Sequence, residues 1–149
     1  MESSFSWNSK TKVEFLRKLP SRARLADALG YQPEKFLLIY DKRVIKSEGL
    51  AKWMKEFKYH YPVTAGEGLK DLKTLPYHVK KIFRMVSPFS PQSLCVVAIG
   101  GGSVGDFAGF LASILKRGVP LIHLPTTLLA AMDSAHGGKT ALNVHEFKN

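Results

Sequence analysis

Apolar residues along this chain fall into two patterns. Phe36–Tyr40 (FLLIY) and Leu94–Ile99 (LCVVAI) are unbroken apolar runs, closed by Asp41 and by a run of glycines. Runs of that length predict strands buried on both faces. Tyr59–Thr64 and Pro120–Leu124 predict two further strands. Between them the period changes. Within Val44–Phe57 the apolar residues Leu50, Trp53, Met54 and Phe57 stand at helical spacing, so the whole segment predicts an amphipathic helix. Residues 21–29 (SRARLADAL) predict a short helix, with Ser21 as its cap after Pro20 and Gly30 as its stop. Another helix should cover most of Leu69–Val86, started or kinked by Pro76. A third should run from the glycines to Arg117, where Gly118 ends it. Ser87–Ser93 is a polar, proline-rich connection.

Strand and helix alternate with short turns between them, a pattern that predicts a parallel sheet covered by helices on both faces. Ligands of such sheets gather at the carboxyl ends of the strands. Asp41, Glu67, the glycine run and Pro125–Thr127 all occupy that kind of position, so four strand ends point to one rim. The chain shows no internal repeat. Residues 137–149 (GGKTALNVHEFKN) have loop character and stop without a closing element. The expectation is therefore one domain, 1–149, forming the N-terminal part of a longer protein.

Composition narrows the class. At 149 residues, 45% apolar and 23% charged, the chain can bury a core and is not a disordered tail. Its single cysteine, Cys95, cannot form an internal disulfide and lies in an apolar run, which predicts a buried thiol. No apolar stretch approaches the ~20 residues of a membrane span. The N-terminal segment carries Glu2 and Glu14 and no apolar signal core, so a cytoplasmic location is expected. The net charge of +10 is uneven, with 18 basic and 9 acidic residues in 1–90 against 4 and 3 in 91–149. No nucleic-acid signature accompanies it, and lysines such as Lys52, Lys55 and Lys58 are dispersed along a helix. A solvated surface, or attraction for a phosphorylated small molecule, is the expectation.

The nearly neutral half holds the chemistry. Gly100-Gly101-Gly102-Ser103-Val104-Gly105 fits G-x-G-x-x-G between a buried strand and a helix. Glycines there let backbone approach a pyrophosphate, whose charge the helix N-terminus favours. A tight turn with close packing would leave the same pattern. No acidic residue ends a strand about 20 residues later, where a ribose partner is usual; Asp41 ends an earlier strand instead. Asp106 suits either the helix dipole or a ligand. Thr126 and Thr127 suit either helix capping or ligand contact. Asp133–Thr140 (DSAHGGKT) offers backbone donors, an ammonium and a hydroxyl for a phosphate, though it is not a Walker A loop.

Taken together, VVAIGGGSVGDFAGFLASILKRG, LIHLPTTLLAAMDSAHGGKTALN and the terminal Lys148-Asn149 resemble the N-terminal domain of the 3-dehydroquinate synthase family, with much of the pattern shared by other sugar-phosphate cyclases. The strong part covers residues 95–149; Asp41 and Gly66-Glu67-x-x-Lys70 extend it. The resemblance implies an α/β, Rossmann-like parallel sheet that binds NAD through Asp41, Glu67, Lys70, Gly101, Gly102, Ser103, Asp106, Thr126, Thr127, Lys139 and Lys148. It implies catalytic or substrate-side roles for Asp133, Lys139, Lys148 and Asn149, and a homodimer in which Arg117 reaches the substrate phosphate of the neighbouring subunit. The family's reaction takes DAHP, a seven-carbon sugar acid phosphate, to 3-dehydroquinate in the shikimate pathway of aromatic amino-acid biosynthesis. A ring hydroxyl is transiently oxidised by NAD, phosphate is eliminated, the carbonyl is reduced again and an aldol step closes the ring.

Four departures from the family stand out. Arg43 replaces the usual Asn, Ser103 replaces a valine, His136 takes an ordinarily apolar position, and Val144-His145-Glu146-Phe147 replaces a stretch close to His-Pro-Leu-Gly. They leave room for another cyclase, of the 2-epi-5-epi-valiolone or 2-deoxy-scyllo-inosose synthase kind. In the family a divalent metal, zinc or cobalt, is held by one Glu and two His of a following helical domain that this chain does not contain. His60, His78, His123, His136 and His145 have no ligand-like spacing and are expected in the core or on the surface. The missing domain also raises the alternative of a nucleotide-binding module without catalysis.

Overall fold

The structure, a computed structural model, describes residues 13, 14, 16–135, 140, 142 and 143. The first helix, α1 (Arg22–Leu29), begins where the Ser21 hydroxyl accepts the Arg24 amide at 3.2 Å, and it ends at Gly30 in the left-handed conformation, φ 72°. β1 (Lys35–Asp41) follows. The expected helix over Val44–Phe57 is divided. The Asp41 carboxylate takes the Arg43 amide and winds Lys42–Lys46 into a tight 3₁₀ turn, Ser47 is extended, and α2 covers only Glu48–Met54. Phe57 lies beyond that helix and is still buried.

The second expected helix is shortened for a similar reason. After β2 (Tyr59–Val63), Glu67–Lys70 forms a 3₁₀ turn that buries Leu69, and α3 spans Leu75–Val86. Pro76 falls in its first turn, where the missing N–H has no acceptor to lose. β3 (Leu94–Gly100) runs straight into α4 (Gly102–Ile114), so four of the six residues of the glycine motif are already helical. α4 stops short of Arg117 because Lys116 and Arg117 adopt positive φ, 52° and 71°. β4 (Leu121–Pro125) and the short α5 (Leu128–Met132) complete the described elements.

The strands form one parallel sheet in the order β2-β1-β3-β4. Alternate residues feed two cores. Leu37, Ile39, Val96 and Ala98 pack with Ile82 and Val86 of α3 and with Val104, Phe107 and Leu111 of α4. Phe36, Leu38, Cys95, Val97 and Ile99 pack on the other face with Leu25 of α1 and with Leu50, Trp53 and Met54 of α2. Both faces are therefore covered, as the continuous apolar runs require. From β1 the chain goes outward to β2, then crosses back to lay β3 on the other side of β1. The direction of winding reverses between β1 and β3. Tyr40 of β1 pairs with Ile99 of β3, so Asp41 and Gly100 are the next residues along the two strands that flank this switch point.

Candidate functional site

A crevice at the switch point of a parallel sheet is the general ligand position of this architecture. On its β3 side the backbone provides the chemistry. Gly101 is extended, α4 starts at Gly102, and the Gly101 carbonyl accepts the Val104 and Gly105 amides, each at 3.1 Å. The amides of Gly102 and Ser103 head the helix with no acceptor among the described residues. Helix amides in that position favour an anion.

The close-packing explanation can be tested glycine by glycine. A Cβ at Gly100 would stand 2.8 Å from the Val104 Cβ, one at Gly105 would stand 3.3 Å from the His123 ring, and one at Gly109 would collide with the Thr140 methyl. Packing thus accounts for those three. At Gly101 and Gly102 it fails: the nearest atoms among the described residues, on Thr127 and Ser134, are 3.5 Å away, an ordinary contact, and neither glycine has positive φ. The packing of the described residues tolerates a side chain at both positions, yet both are bare.

The neighbouring strand ends are tied to this corner. The Ser103 hydroxyl accepts the Gly66 amide at 3.0 Å and links the β2 loop to α4. The Gly100 carbonyl accepts the Thr126 amide at 2.9 Å. Thr127 caps α5, its hydroxyl accepting the Ala130 amide at 3.2 Å, and both threonines are exposed on the rim. Capping does occur at Thr127, and it leaves the hydroxyl proton to donate elsewhere.

Beside the corner lies a charged cluster. Lys70 is buried, with its ammonium 3.4 Å from the Asp106 carboxylate and 3.5 Å from that of Glu67. Asp106 is one turn into α4, so it is a partner of Lys70 as well as a group near the helix start. Asn143 completes the arrangement: its side-chain amide donates to Glu67 at 2.8 Å, and its backbone pairs with Lys70 and Leu72. Asn143 was not among the residues singled out from the sequence, although it closes the TALN end of the family-like segment; its burial and its reach to Glu67 exist only in three dimensions.

On the β1 side Asp41 is buried and its carboxylate is held by Arg43. One oxygen accepts the Arg43 amide at 3.1 Å, and the other faces the guanidinium at 2.8 and 2.6 Å. That pairing holds the Asp41 carboxyl below its usual pKa, against the opposing effect of burial.

Other sequence candidates lie elsewhere. Asp133 is exposed at the end of α5, its amide bonded to the Leu129 carbonyl. Arg117 lies four residues before the start of β4 and so on the amino side of the sheet, away from the crevice. Lys139, Lys148 and Asn149 fall outside the described residues, as do His136 and His145. His60 bonds the Phe57 carbonyl at 2.7 Å, and His78 bonds the Tyr61 hydroxyl at 2.8 Å. His123 is half-buried against Gly105; burial lowers its pKa, with Asp106 opposing. Cys95 is buried and its thiol is pushed up to about 12 by burial, which suits packing and not nucleophilic chemistry. Among the described residues no three His, Cys, Asp or Glu side chains are grouped to hold a metal ion. Nor is any helix among them long and apolar enough to cross a membrane.

The fold is a doubly wound α/β domain with a glycine corner at the end of β3 and a carboxylate, Asp41, at the end of the neighbouring β1. The sequence matches the N-terminal domain of 3-dehydroquinate synthase over residues 60–149. It is 40% identical over 125 residues to the 3-dehydroquinate synthase of Clostridium acetobutylicum, a match covering 80% of this chain and 34% of that protein. The chain belongs to the 3-dehydroquinate synthase family. It spans about a third of the length of the curated relatives it matches. Two solved structures are similar, each with a TM-score of 0.66. One is a 2-deoxy-scyllo-inosose synthase complexed with carbaglucose-6-phosphate, NAD+ and Co2+, 29% identical and covering 84% of this chain and 36% of that one. The other is the 2-epi-5-epi-valiolone synthase of Streptomyces hygroscopicus with NAD+ and Zn2+ bound, 26% identical and covering 93% and 41%.

Proposed function

We propose that this chain is the nucleotide-binding part of a 3-dehydroquinate synthase, a phosphate-eliminating lyase acting on DAHP, and that NAD occupies the switch-point crevice. The observation that carries the reading is the pair Gly101 and Gly102, bare where the packing of the described residues tolerates a side chain, beside helix amides with no acceptor among those residues. Those residues fit a dinucleotide: the amides of Gly102 and Ser103 receive the pyrophosphate, and Thr126 and Thr127 offer hydroxyls from the β4 rim. Lys70, held by Glu67 and Asp106, places a buried cation beside the same corner and fixes the start of α4 against the β2 loop. Bound NAD supplies the transient oxidation that acidifies a neighbouring C–H and makes loss of phosphate feasible. Asp133, Lys139, Lys148 and Asn149 face the substrate in this reading, and Arg117 serves the neighbouring subunit of a homodimer. A cytoplasmic location belongs to the same reading. The described residues do not fit a divalent metal; in this reading zinc or cobalt is held by a helical domain of the full-length protein.

Titration calorimetry of the 149-residue chain with NAD tests the crevice, and saturable binding that is lost in Gly102→Val supports it. The two structural neighbours favour a second reading, a sugar-phosphate cyclase of the inosose or valiolone type. Product identification with the full-length protein separates the two. 3-Dehydroquinate from DAHP supports the first, and a cyclitol from sedoheptulose 7-phosphate supports the second. Binding of NAD without turnover of either substrate by the full-length protein would point to a non-catalytic module.

A further inference from the structure

We propose that the crevice accepts a dinucleotide bearing a phosphate on the 2′-hydroxyl of its adenosine ribose, and that Arg43 receives that phosphate. This rests on the crevice being a dinucleotide site. In doubly wound sheets a strand-end carboxylate ordinarily binds the ribose hydroxyls, whereas a nearby arginine accommodates a 2′-phosphate. Here the carboxylate at the end of β1 is already engaged: both Asp41 oxygens take bonds from Arg43, one from its backbone amide and the other from its guanidinium. Asp41 is buried, whereas the Arg43 side chain is 72% exposed, so a ligand arriving at this strand end meets guanidinium before carboxylate.

Charge points the same way. A bare aspartate repels a phosphate dianion, but the Asp41–Arg43 pair is neutral and is flanked in the same 3₁₀ turn by exposed Lys42 and Lys46. The strand end is therefore net positive. Arginine has five N–H donors in a planar fork. Asp41 engages only one edge of that fork and orients it, leaving donors to bind phosphate without a large ordering cost. An arginine that merely neutralised Asp41 would confer no preference for a 2′-phosphate, and the two roles separate on that point.

The test is calorimetry of the full 149-residue chain and its Arg43→Asn variant, titrated at one ionic strength with NAD, NADP, AMP and adenosine 2′,5′-bisphosphate. The expected result is that the parent chain binds NADP at least as tightly as NAD. Arg43→Asn should weaken NADP and the bisphosphate by about tenfold or more while NAD shifts by less than about threefold. Circular dichroism checks folding; should Arg43→Asn not fold, Arg43→Lys, which keeps the charge and loses the fork, should still weaken NADP selectively. Tighter binding of NAD than NADP by about tenfold in the parent, or equal weakening of both by the variants, overturns the proposal and leaves the dinucleotide site standing. Failure of all four nucleotides to bind the parent chain overturns both.

Discussion

The two walls of the crevice are built from different materials. The β3 wall is backbone: bare glycines, helix amides and a carbonyl that holds Thr126. The β1 and β2 wall is charge: Asp41 with Arg43, and Lys70 between Glu67 and Asp106. The first comes from the nearly neutral part of the chain; the second, apart from Asp106 on α4, comes from its basic part. A backbone wall changes little with pH or salt and tolerates no side chain where a ligand must approach. A side-chain wall can be retuned by one substitution, and Arg43, whose guanidinium covers Asp41, is the residue where such a change would act. The contrast teaches where in this site chemistry is held constant and where specificity can drift.

Breaking the backbone wall has the largest expected effect. Gly102→Val should lower NAD affinity at least a hundredfold, about 2.7 kcal/mol, with the urea unfolding midpoint nearly unmoved because, among the described residues, only Ser134 lies near. Normal affinity would show that the corner is not where the nucleotide sits. Gly100→Ala is the converse. Its new Cβ meets the Val104 Cβ, which the helix cannot easily withdraw, so stability should fall by about 1–3 kcal/mol in a denaturant titration. A variant as stable as the parent would mean that strand and helix can separate there.

On the charged wall, Lys70→Met leaves two carboxylates without their shared cation and should cost about 1–2 kcal/mol, reduced by the exposure of Glu67. Combining it with Asp106→Asn should recover part of that loss; strict additivity would show that the pair is not coupled. The smallest effect concerns pH. Burial holds His78 and His123 below the ordinary value of 6.5, so below that pH the unfolded chain binds more protons than the folded one. Stability should therefore decline as pH drops from 6.5 through the depressed folded values, and His78→Gln should flatten the decline measured by thermal unfolding. Asp41, whose folded value lies below 3.8, keeps its contribution until stronger acid.

The strands were legible almost to the residue, because an unbroken apolar run buried on both faces admits little else. The helices were legible by face but not by length. Leu50, Trp53, Met54 and Phe57 are all buried as their spacing demands, yet the segment before them is turned aside by the Asp41 cap. Leu69 satisfied the helical period and was buried instead from a 3₁₀ turn, with Pro76 opening the helix later. In the site, the glycine motif was plain, but which of its glycines serve packing and which leave open space among the described residues depended on Val104 and His123, one newly oriented and one distant in sequence.

Local order alone determined the alternation of strands and helices, the parallel sheet and the rim to which its loops point, since burial periodicity and turn chemistry act over a few residues. Tertiary structure decided that Arg43 closes on Asp41, that Ser103 holds Gly66, and that Asn143 reaches back to Glu67 across 76 positions. Those bonds depend on where the folded sheet sets its strand ends and on which groups lose water there. Neither quantity is written in the spacing of residues.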